Sequence, residues 1–145
     1  MNSWYRGFSL IEVLVATAVM SLGMLALFAA ITYGVKANRH GELSGEATNL
    51  GREILALIRG RGWADDATKL PMLKDAPGVR KPVDAPPFQD DLNKYAGSIY
   101  QRNVRVERLA PLGSFEHDLA SLKVTIFWVE GKRAQQLPLE TYQRL

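Results

Sequence analysis

The feature that most constrains the fold is a long uncharged segment near the start of the chain, with a carboxylate directly before it. From Val13 to Val35, 23 consecutive residues carry no charged side chain, and Glu12 precedes them. As a helix rising about 1.5 Å per residue, this run would span roughly 34 Å, enough to cross a bilayer. A carboxylate within such a segment costs on the order of 2.5–3.5 kcal/mol. Glu12 is therefore a functional candidate that needs a cationic partner.

The residues before Glu12 suggest that partner. A cut after Gly7 would make Phe8 the new N-terminus, and its α-amine would carry a positive charge at about the same membrane depth as Glu12. The two residues lie four apart, which places them on one helix face. The pair can form within one subunit or between neighbouring subunits that pack side by side.

The leader that ends in Arg6-Gly7, followed by Phe-Ser-Leu-Ile-Glu-Val-Leu-Val-Ala, resembles the class III signal of type IV pilins and type II secretion pseudopilins. The resemblance implies that a prepilin peptidase cuts between Gly7 and Phe8 on the cytoplasmic face. It also implies that the same enzyme methylates the Phe8 amine and that Glu12 is the charge used in filament assembly.

Two other interpretations compete with this one. Ala16-Thr17-Ala18 has the small-x-small pattern of a secretory signal cleavage site, but Glu12 interrupts the apolar run and the run continues well past Ala18. A signal anchor of an unrelated periplasmic enzyme or binding module would explain the length of the segment. It would not explain Glu12 or the Gly-Phe junction.

The charges that flank the apolar run leave its orientation open. Arg6 and the leader amine lie on one side, and Lys36 and Arg39 lie on the other. The resemblance implies a single pass through the bacterial inner membrane, with a cytoplasmic N-terminus and a periplasmic head after about residue 36. Membrane lipid would surround the helix before assembly, and a pilus or pseudopilus filament would hold it afterwards.

Composition is consistent with one exported domain. The chain has 145 residues, and about 90 to 110 remain for a single small domain outside the apolar helix. The net charge of +3 is too small to imply nucleic acid binding. Cysteine is absent, so neither a disulfide nor a thiolate metal site is expected. Many pilins close their C-terminal region with a disulfide, so this chain would hold its sheet edge by packing alone.

The helical pattern continues beyond the apolar run. An apolar stripe recurs every three or four residues and predicts one helix from Phe8 to about Arg59, ended by Gly60 and Gly62. Each helix glycine costs about 1 kcal/mol relative to Ala, so we expect either close helix packing or local flexibility. The resemblance to pilins, in which the first half of the helix can lose helicity on assembly, implies Gly23 as a place for that loss. The stripe is Leu43, Ala47, Leu50, Ile54 and Leu57, and the glycines are Gly23, Gly34, Gly41, Gly45 and Gly51.

The periodicity fails between Gly62 and Gly97. Five prolines fall within 17 residues, which excludes a lasting helix or a central strand. We predict a long connecting loop that packs on the surface with short turns, and by resemblance it is the variable αβ loop of pilins. The paired aspartates Asp65-Asp66 and Asp90-Asp91 indicate solvated turns rather than a calcium site.

The last third alternates with a period of two and predicts three antiparallel strands. The first strand contains Tyr100, Val104 and Val106 on one face, interrupted by Arg102, and a loop over 110–118 follows it. A hairpin turn at Glu130-Gly131-Lys132-Arg133 leads into a last strand from Gln135 to Tyr142. Pro138 makes this last strand an edge. The core-facing residues of the second and third strands are Leu122, Val124, Ile126, Trp128, Leu137, Leu139 and Thr141.

No catalytic, metal-binding or cofactor-binding constellation is present in the sequence. His40 and His117 are isolated, and neither a Gly-x-Ser-x-Gly nor an HExxH pattern occurs. Alternation sends Arg105 to the opposite face from Arg102 and Arg108, so these three residues do not form a basic stripe. We predict a non-enzymatic protein without a cofactor, and nucleic acid is not an expected partner.

These observations predict an α+β fold with the lollipop shape of pilins. The run from Val19 through Ser21-Leu22-Gly23 to Leu27, and the closing strand pattern, resemble PilV-type minor pilins of the pilus priming complex, which supports adhesion, twitching motility or DNA uptake. The I-class minor pseudopilins of type II secretion share both features. The implied partners are prepilin peptidase, other minor and major pilins, and the inner-membrane assembly platform. The predicted segments are a leader at 1–7, a membrane and filament-core helix at 8–35, its amphipathic half at 36–61, a connecting loop at 62–98 and a sheet at 99–145.

Overall fold

The computed structural model describes residues 9–63, 68, 70–108 and 119–144. It divides into two compact units, residues 1–41 and residues 42–145. One long helix and a four-stranded antiparallel sheet dominate it, which confirms the α+β class. The elements are α1 (Leu10–Gly60), α2 (Leu70–Leu73), β1 (Lys81–Pro82), a 3₁₀ turn (Asn93–Tyr95), β2 (Gln101–Arg108), β3 (Leu119–Glu130) and β4 (Arg133–Arg144).

The last five turns of α1 supply one wall of the core in the second unit. The predicted stripe is confirmed for its central residues, whereas Leu43 and Leu57 are partly buried. Leu55 and Ile58 are buried as well, so the apolar face is wider than the predicted line of contacts. The buried helix residues are Ala47, Leu50, Gly51, Ile54, Leu55 and Ile58.

α1 ends at Gly60, as Gly60 and Gly62 predict, and Gly62 forms the C-terminal cap. Gly62 adopts a φ of 59°, the left-handed region that glycine enters without a Cβ penalty. Its N–H donates to the carbonyl of Arg59 at 3.2 Å, and the Trp63 N–H donates to the carbonyl of Ile58 at 3.2 Å. These two bonds are the Schellman pattern, which satisfies carbonyls that a helix end otherwise leaves unpaired.

The sheet has the order β1-β2-β3-β4, and all its pairs are antiparallel. Glu130 pairs with Arg133 across a hairpin that has Gly131 at a φ of 61°, which confirms the predicted turn. β4 lies at an edge, as Pro138 predicted. Two predictions were wrong in extent: the last strand runs over Arg133–Arg144, and the segment predicted as loop contributes the short edge strand β1, because Lys81 and Pro82 pair with the start of β2.

The connecting segment between α1 and β2 also contributes to the core. We predicted that it packs on the surface, but five of its apolar side chains between Gly62 and Gly97 are buried, with Trp63 against the Phe88 ring at a centroid distance of 5.3 Å. Asp90 and Asp91 lie in a turn, as predicted; Asp90 is exposed, whereas Asp91 is partly buried and forms an ion pair with Arg61. The loop 110–118 and the Asp65-Asp66 pair lie outside the described residues. The five buried side chains are Trp63, Leu73, Val83, Phe88 and Leu92.

The β4 edge is held to α1 by both packing and hydrogen bonds. A Cβ on Gly51 would overlap the Leu139 side chain, so the helix backbone lies directly against β4 at this glycine. Near the helix end, Arg59 donates to the Thr141 hydroxyl and, at 3.1 Å, to the carbonyl of Tyr142. The prediction that packing alone holds this edge was therefore incomplete.

Candidate functional site

The first turn of α1 brings Glu12 together with Ser9. The Glu12 N–H donates to Ser9 Oγ at 3.3 Å, and the Ser9 N–H donates to Glu12 Oε2 at 3.4 Å. This reciprocal pair is a capping box, in which each side chain satisfies a backbone N–H that the start of a helix leaves without a partner. A carboxylate in the first turn is also favoured by the helix dipole. The Glu12 side chain therefore has a local structural role in addition to the predicted assembly role.

Gly7 and Phe8 lie outside the described residues. The cut between them, the methylation of the Phe8 amine and the pairing of that amine with Glu12 therefore stay predictions. The Glu12 carboxylate lies at the start of the helix, where it accepts a hydrogen bond from the backbone N–H of Ser9.

The apolar part of α1 is exposed along its whole length. By length and composition, α1 is a helix that can cross a membrane: an 18-residue window has a mean hydropathy of 2.3, and none of that window is buried within the structure. Large apolar side chains such as Leu22, Phe28 and Val35 are more than 60% exposed. A water-exposed surface of this kind marks a membrane or protein interaction site.

The serine and threonine hydroxyl groups within this apolar part donate hydrogen bonds to the helix itself. Thr17 Oγ1 donates to the carbonyl of Val13 at 3.0 Å, and Ser21 Oγ donates to the carbonyl of Thr17 at 2.7 Å. Thr32 Oγ1 donates to the carbonyl of Phe28 at 2.8 Å. In a hydrocarbon environment, polar groups must find partners within the protein. These three hydroxyls therefore do not oppose insertion of the helix into lipid.

Small residues follow Glu12 along one line of the helix. Glu12, Ala16, Gly23, Gly34 and Gly41 are separated by four, seven, eleven and seven residues. At 3.6 residues per turn, these spacings keep the five positions within about 40° of one line. No side chain or distant backbone lies within 4 Å of a Cβ built on any of the three glycines. A neighbouring helix could approach closely along this line.

The polar candidates outside the first turn do not form a reactive site. Among the described residues, no group of three or more His, Asp or Glu side chains is placed to hold a metal ion. Arg102 is one of the three arginines considered for a basic stripe. Its side chain is fully buried, and this burial lowers the pKa of its guanidinium. His117 and the side chain of Arg108 lie outside the described part of the chain.

Sequence reasoning missed two features of this structure. Ser9 was not recognised as the helix cap, although the Ser-x-x-Glu spacing over residues 9–12 is the capping-box signature. The second feature is a group of cations on the outer face of the sheet, which is the face that α1 does not cover. Arg105 and Lys123 pair directly there, and alternation alone could not identify them because their proximity depends on the register between β2 and β3.

Residues 5–28 match a family model described as the prokaryotic N-terminal methylation motif. The match covers the Gly7-Phe8 junction, Glu12 and the first part of the apolar helix. No curated protein and no solved structure matches the chain.

The motif and the long apolar helix together indicate a type IV pilin-like or pseudopilin protein. The prepilin motif implies processing by prepilin peptidase and association with other pilins. Pilin-like proteins that carry this motif are structural rather than enzymatic. The class III signal, together with the one apolar helix of this length found among the described residues, fits a single-pass anchor in the inner membrane.

Proposed function

We propose that this protein is a minor pilin, a structural subunit of the complex that primes assembly of a type IV pilus. The observation that carries the proposal is the exposed apolar helix with the methylation motif at its start, where Glu12 is held in the first turn. In this proposal Gly7 and Phe8 flank the cleavage site, Phe8 carries the methyl group, and Glu12 is the assembly charge. The helix leaves lipid for the filament core, with the second unit on the periplasmic side.

The small-residue line supports a role in a helix bundle. Gly23, Gly34 and Gly41 each lower helix propensity by about 1 kcal/mol relative to Ala, and no contact within the described structure offsets that loss. Close packing against neighbouring helices would offset it, because glycines let helix backbones approach and gain dispersion contacts. The line begins at Glu12, so the charge and the packing surface would meet the same neighbour.

The processing step is tested by intact mass and N-terminal peptide mass of the protein from cells with active prepilin peptidase. We expect a chain that begins at Phe8 and carries one added methyl group. Gly7→Val is the change that should block the cut between Gly7 and Phe8. Gly7→Ala is the conservative control and should still be cleaved. An intact Met1 or a cut after Ala18 would contradict the proposal.

Deleting the gene in its own host tests whether the protein belongs to a type IV pilus or to a type II secretion pseudopilus. We expect loss of surface pili and of the functions that depend on them, with normal export of secreted enzymes, and recovery from a plasmid copy. Normal piliation combined with lost enzyme export would assign the chain to the secretion pseudopilus instead. The PilV-like Ser21-Leu22-Gly23 run is the feature that favours the pilus.

A further inference from the structure

We propose that the outer face of the sheet is a binding site for an acidic peptide segment of a partner protein. This face carries a groove with a volume of about 420 Å³, lined by residues of β2, β3 and β4 and by the loop before β1. The residues that matter here are Arg80, Asn103, Arg105, Lys123, Thr125 and Phe127. The inference goes beyond the filament role and does not depend on it.

Among the described residues, three cations and no acidic side chain line this groove. Arg105 on β2 and Lys123 on β3 are direct cross-strand partners, so two like charges face one another on adjacent strands. Such a pair is destabilising by itself. Neither cation, nor Arg80, forms an ion pair within 4 Å with any described residue. Binding of an anion between them would remove this repulsion.

Two carboxylates of the described part of the chain lie on this face outside the groove lining. Glu107 on β2 lies two residues along the strand from Arg105, on the side away from Arg80. Glu140 on β4 is the cross-strand partner of Lys123. Its Oε1 accepts a hydrogen bond from Ser121 Oγ at 2.8 Å. Glu140 therefore reduces the positive potential at the β4 side of the groove but does not close it. The groove stays open to an external anion on the side of Arg105 and Arg80.

The Arg80 wall of the groove is held in place by Asn103. The Asn103 side-chain amide donates to the carbonyl of Ala76 at 3.0 Å and to the carbonyl of Val79 at 2.7 Å, so the loop is fixed to β2 directly before Arg80. The Arg80 guanidinium then lies over the Phe127 ring, 4.5 Å from its centroid. A cation fixed by stacking loses less side-chain entropy when it binds an anion than a freely rotating one does.

The groove fits carboxylates on a peptide better than a nucleic acid strand. Phe127 is the one aromatic residue among the described groove residues, and Arg80 covers a face of its ring. Single-stranded nucleic acids bind where successive bases stack on open rings along a longer basic track. An extended peptide instead places alternate side chains on one face about 7 Å apart. Phe127, which Arg80 covers, lies four residues along β3 from Lys123, a distance of about 14 Å at roughly 3.4 Å per residue. Two Glu residues in a Glu-x-x-x-Glu spacing can therefore meet Arg80 and the Arg105–Lys123 pair together.

The test uses the full chain in an uncharged detergent and measures fluorescence anisotropy of a labelled peptide with four Glu-Ser repeats. We expect saturable binding that weakens as NaCl is raised, because exposed charge pairs are screened by salt. Arg105→Gln and Lys123→Gln should each weaken binding about fivefold, the size expected for loss of one charged contact. Arg105→Lys keeps the charge and should retain most of the affinity.

The matched control is Arg52→Gln, which removes an exposed charge on α1, the helix that covers the other face of the sheet. It should change affinity less than twofold, and circular dichroism should confirm that every variant is folded. A second control is a labelled peptide with four Gln-Ser repeats, which has no charged side chain. Equal weakening by Arg52→Gln, or binding of the Gln-Ser peptide as tight as that of the Glu-Ser peptide, would overturn the proposal. Tighter binding of an eight-nucleotide oligothymidylate than of the acidic peptide would also overturn it and assign the groove to nucleic acid.

Discussion

Arg102 and Asp75 form an ion pair inside the second unit, with Arg102 Nη1 3.2 Å from Asp75 Oδ2 and both side chains fully buried. Asp75 Oδ2 also accepts the backbone N–H of Val104 at 2.8 Å, and Lys81 Nζ lies 2.6 Å from Asp75 Oδ1. One carboxylate therefore meets two cations and a strand N–H. This arrangement joins the connecting segment to β2 at the point where the apolar pattern of that strand is interrupted.

The rest of the Arg102 guanidinium is satisfied by the connecting segment. It donates to the carbonyls of Val83 at 3.3 Å, Ala85 at 2.8 Å and Pro86 at 3.1 Å. Its Cζ lies 4.5 Å from the centroid of the Phe88 ring. A buried charge is tolerated only when it is paired and fully hydrogen-bonded. These contacts explain how a charged side chain occupies a core position between Tyr100 and Val104.

Replacing Asp75 should be strongly destabilising. Asp75→Ala leaves Arg102 buried without its counter-charge, and we expect the free energy of unfolding of the second unit to fall by about 3–5 kcal/mol. The measurement is urea unfolding of the full chain, followed by the fluorescence of the buried residues Trp63 and Trp128. Asp90→Ala, at an exposed position, is the control and should cost less than about 0.5 kcal/mol. A loss below 1 kcal/mol for Asp75→Ala would contradict the assignment.

The coupling between the two side chains gives a second measurement on the same pair. Arg102→Met combined with Asp75→Ala removes both charges and keeps an apolar side chain of similar length. We expect the double variant to lose less stability than the sum of the single losses, with a coupling of about 1–3 kcal/mol. Additive losses would mean that the ion pair is not what holds the two residues in the core.

Two glycines of α1 should respond in opposite directions to the same substitution. Gly51→Ala places a methyl group against Leu139, so we expect a loss of about 1–3 kcal/mol from overpacking. Gly45→Ala has open space around the new methyl group and should gain about 0.5–1 kcal/mol from helix propensity. The same unfolding measurement checks both, and Leu139→Ala should relieve part of the Gly51→Ala loss. Equal effects at the two positions would contradict the close contact at Gly51.

Tyr100 should make the second unit less stable at alkaline pH. Burial and the hydrogen bond from its hydroxyl to Glu46 Oε2, at 2.8 Å, raise the pKa of the Tyr100 phenol above its ordinary value near 10. The folded state therefore keeps the proton where the unfolded chain releases it. The contribution of the Tyr100 phenol to the free energy of unfolding is fully present below about pH 10 and declines as the pH rises further.

The corresponding variant is Tyr100→Phe. At neutral pH it should cost about 1 kcal/mol, because it removes the hydrogen bonds to Glu46 and to the carbonyl of Leu43. Above pH 10 its stability should decline less steeply than that of the parent chain. Tyr142→Phe, at an exposed position, is the control and should cost less than about 0.5 kcal/mol at neutral pH. Unfolding midpoints between pH 8 and pH 11 give the comparison.

Local patterns in the sequence predicted most of the regular structure, because they depend on neighbours in the chain. The helix stripe from Ala47 to Ile54, the stop at Gly62, the hairpin at Gly131 and the edge position of Pro138 all follow from spacing and backbone preference. The motif at Glu12 was equally local. Its recognition required only the residues that flank it.

The features that were missed depend on contacts between distant segments. Arg102 interrupts an apolar face, and its partner Asp75 lies 27 positions earlier, so no periodicity links them. The same is true of Phe88, which is buried from a proline-rich segment, and of the Arg105–Lys123 pair, which depends on strand register. The Ser9–Glu12 cap was readable from spacing.

Replacing Glu12 in two ways separates its capping role from its assembly role. Gln at this position can keep the capping box, since Glu and Gln both serve at the third helical residue, but it carries no charge. Ala removes both the cap and the charge. If assembly needs the charge, Glu12→Gln and Glu12→Ala should both be inserted and cleaved normally and both be lost from sheared filaments. Quantitative immunoblots of filament and membrane fractions measure the incorporation of each variant. Ser9→Ala weakens the cap by about 1 kcal/mol and keeps the charge, so this variant should still be incorporated. Normal incorporation of Glu12→Gln with loss of Glu12→Ala and Ser9→Ala would assign Glu12 to the helix cap and leave the assembly charge to another group.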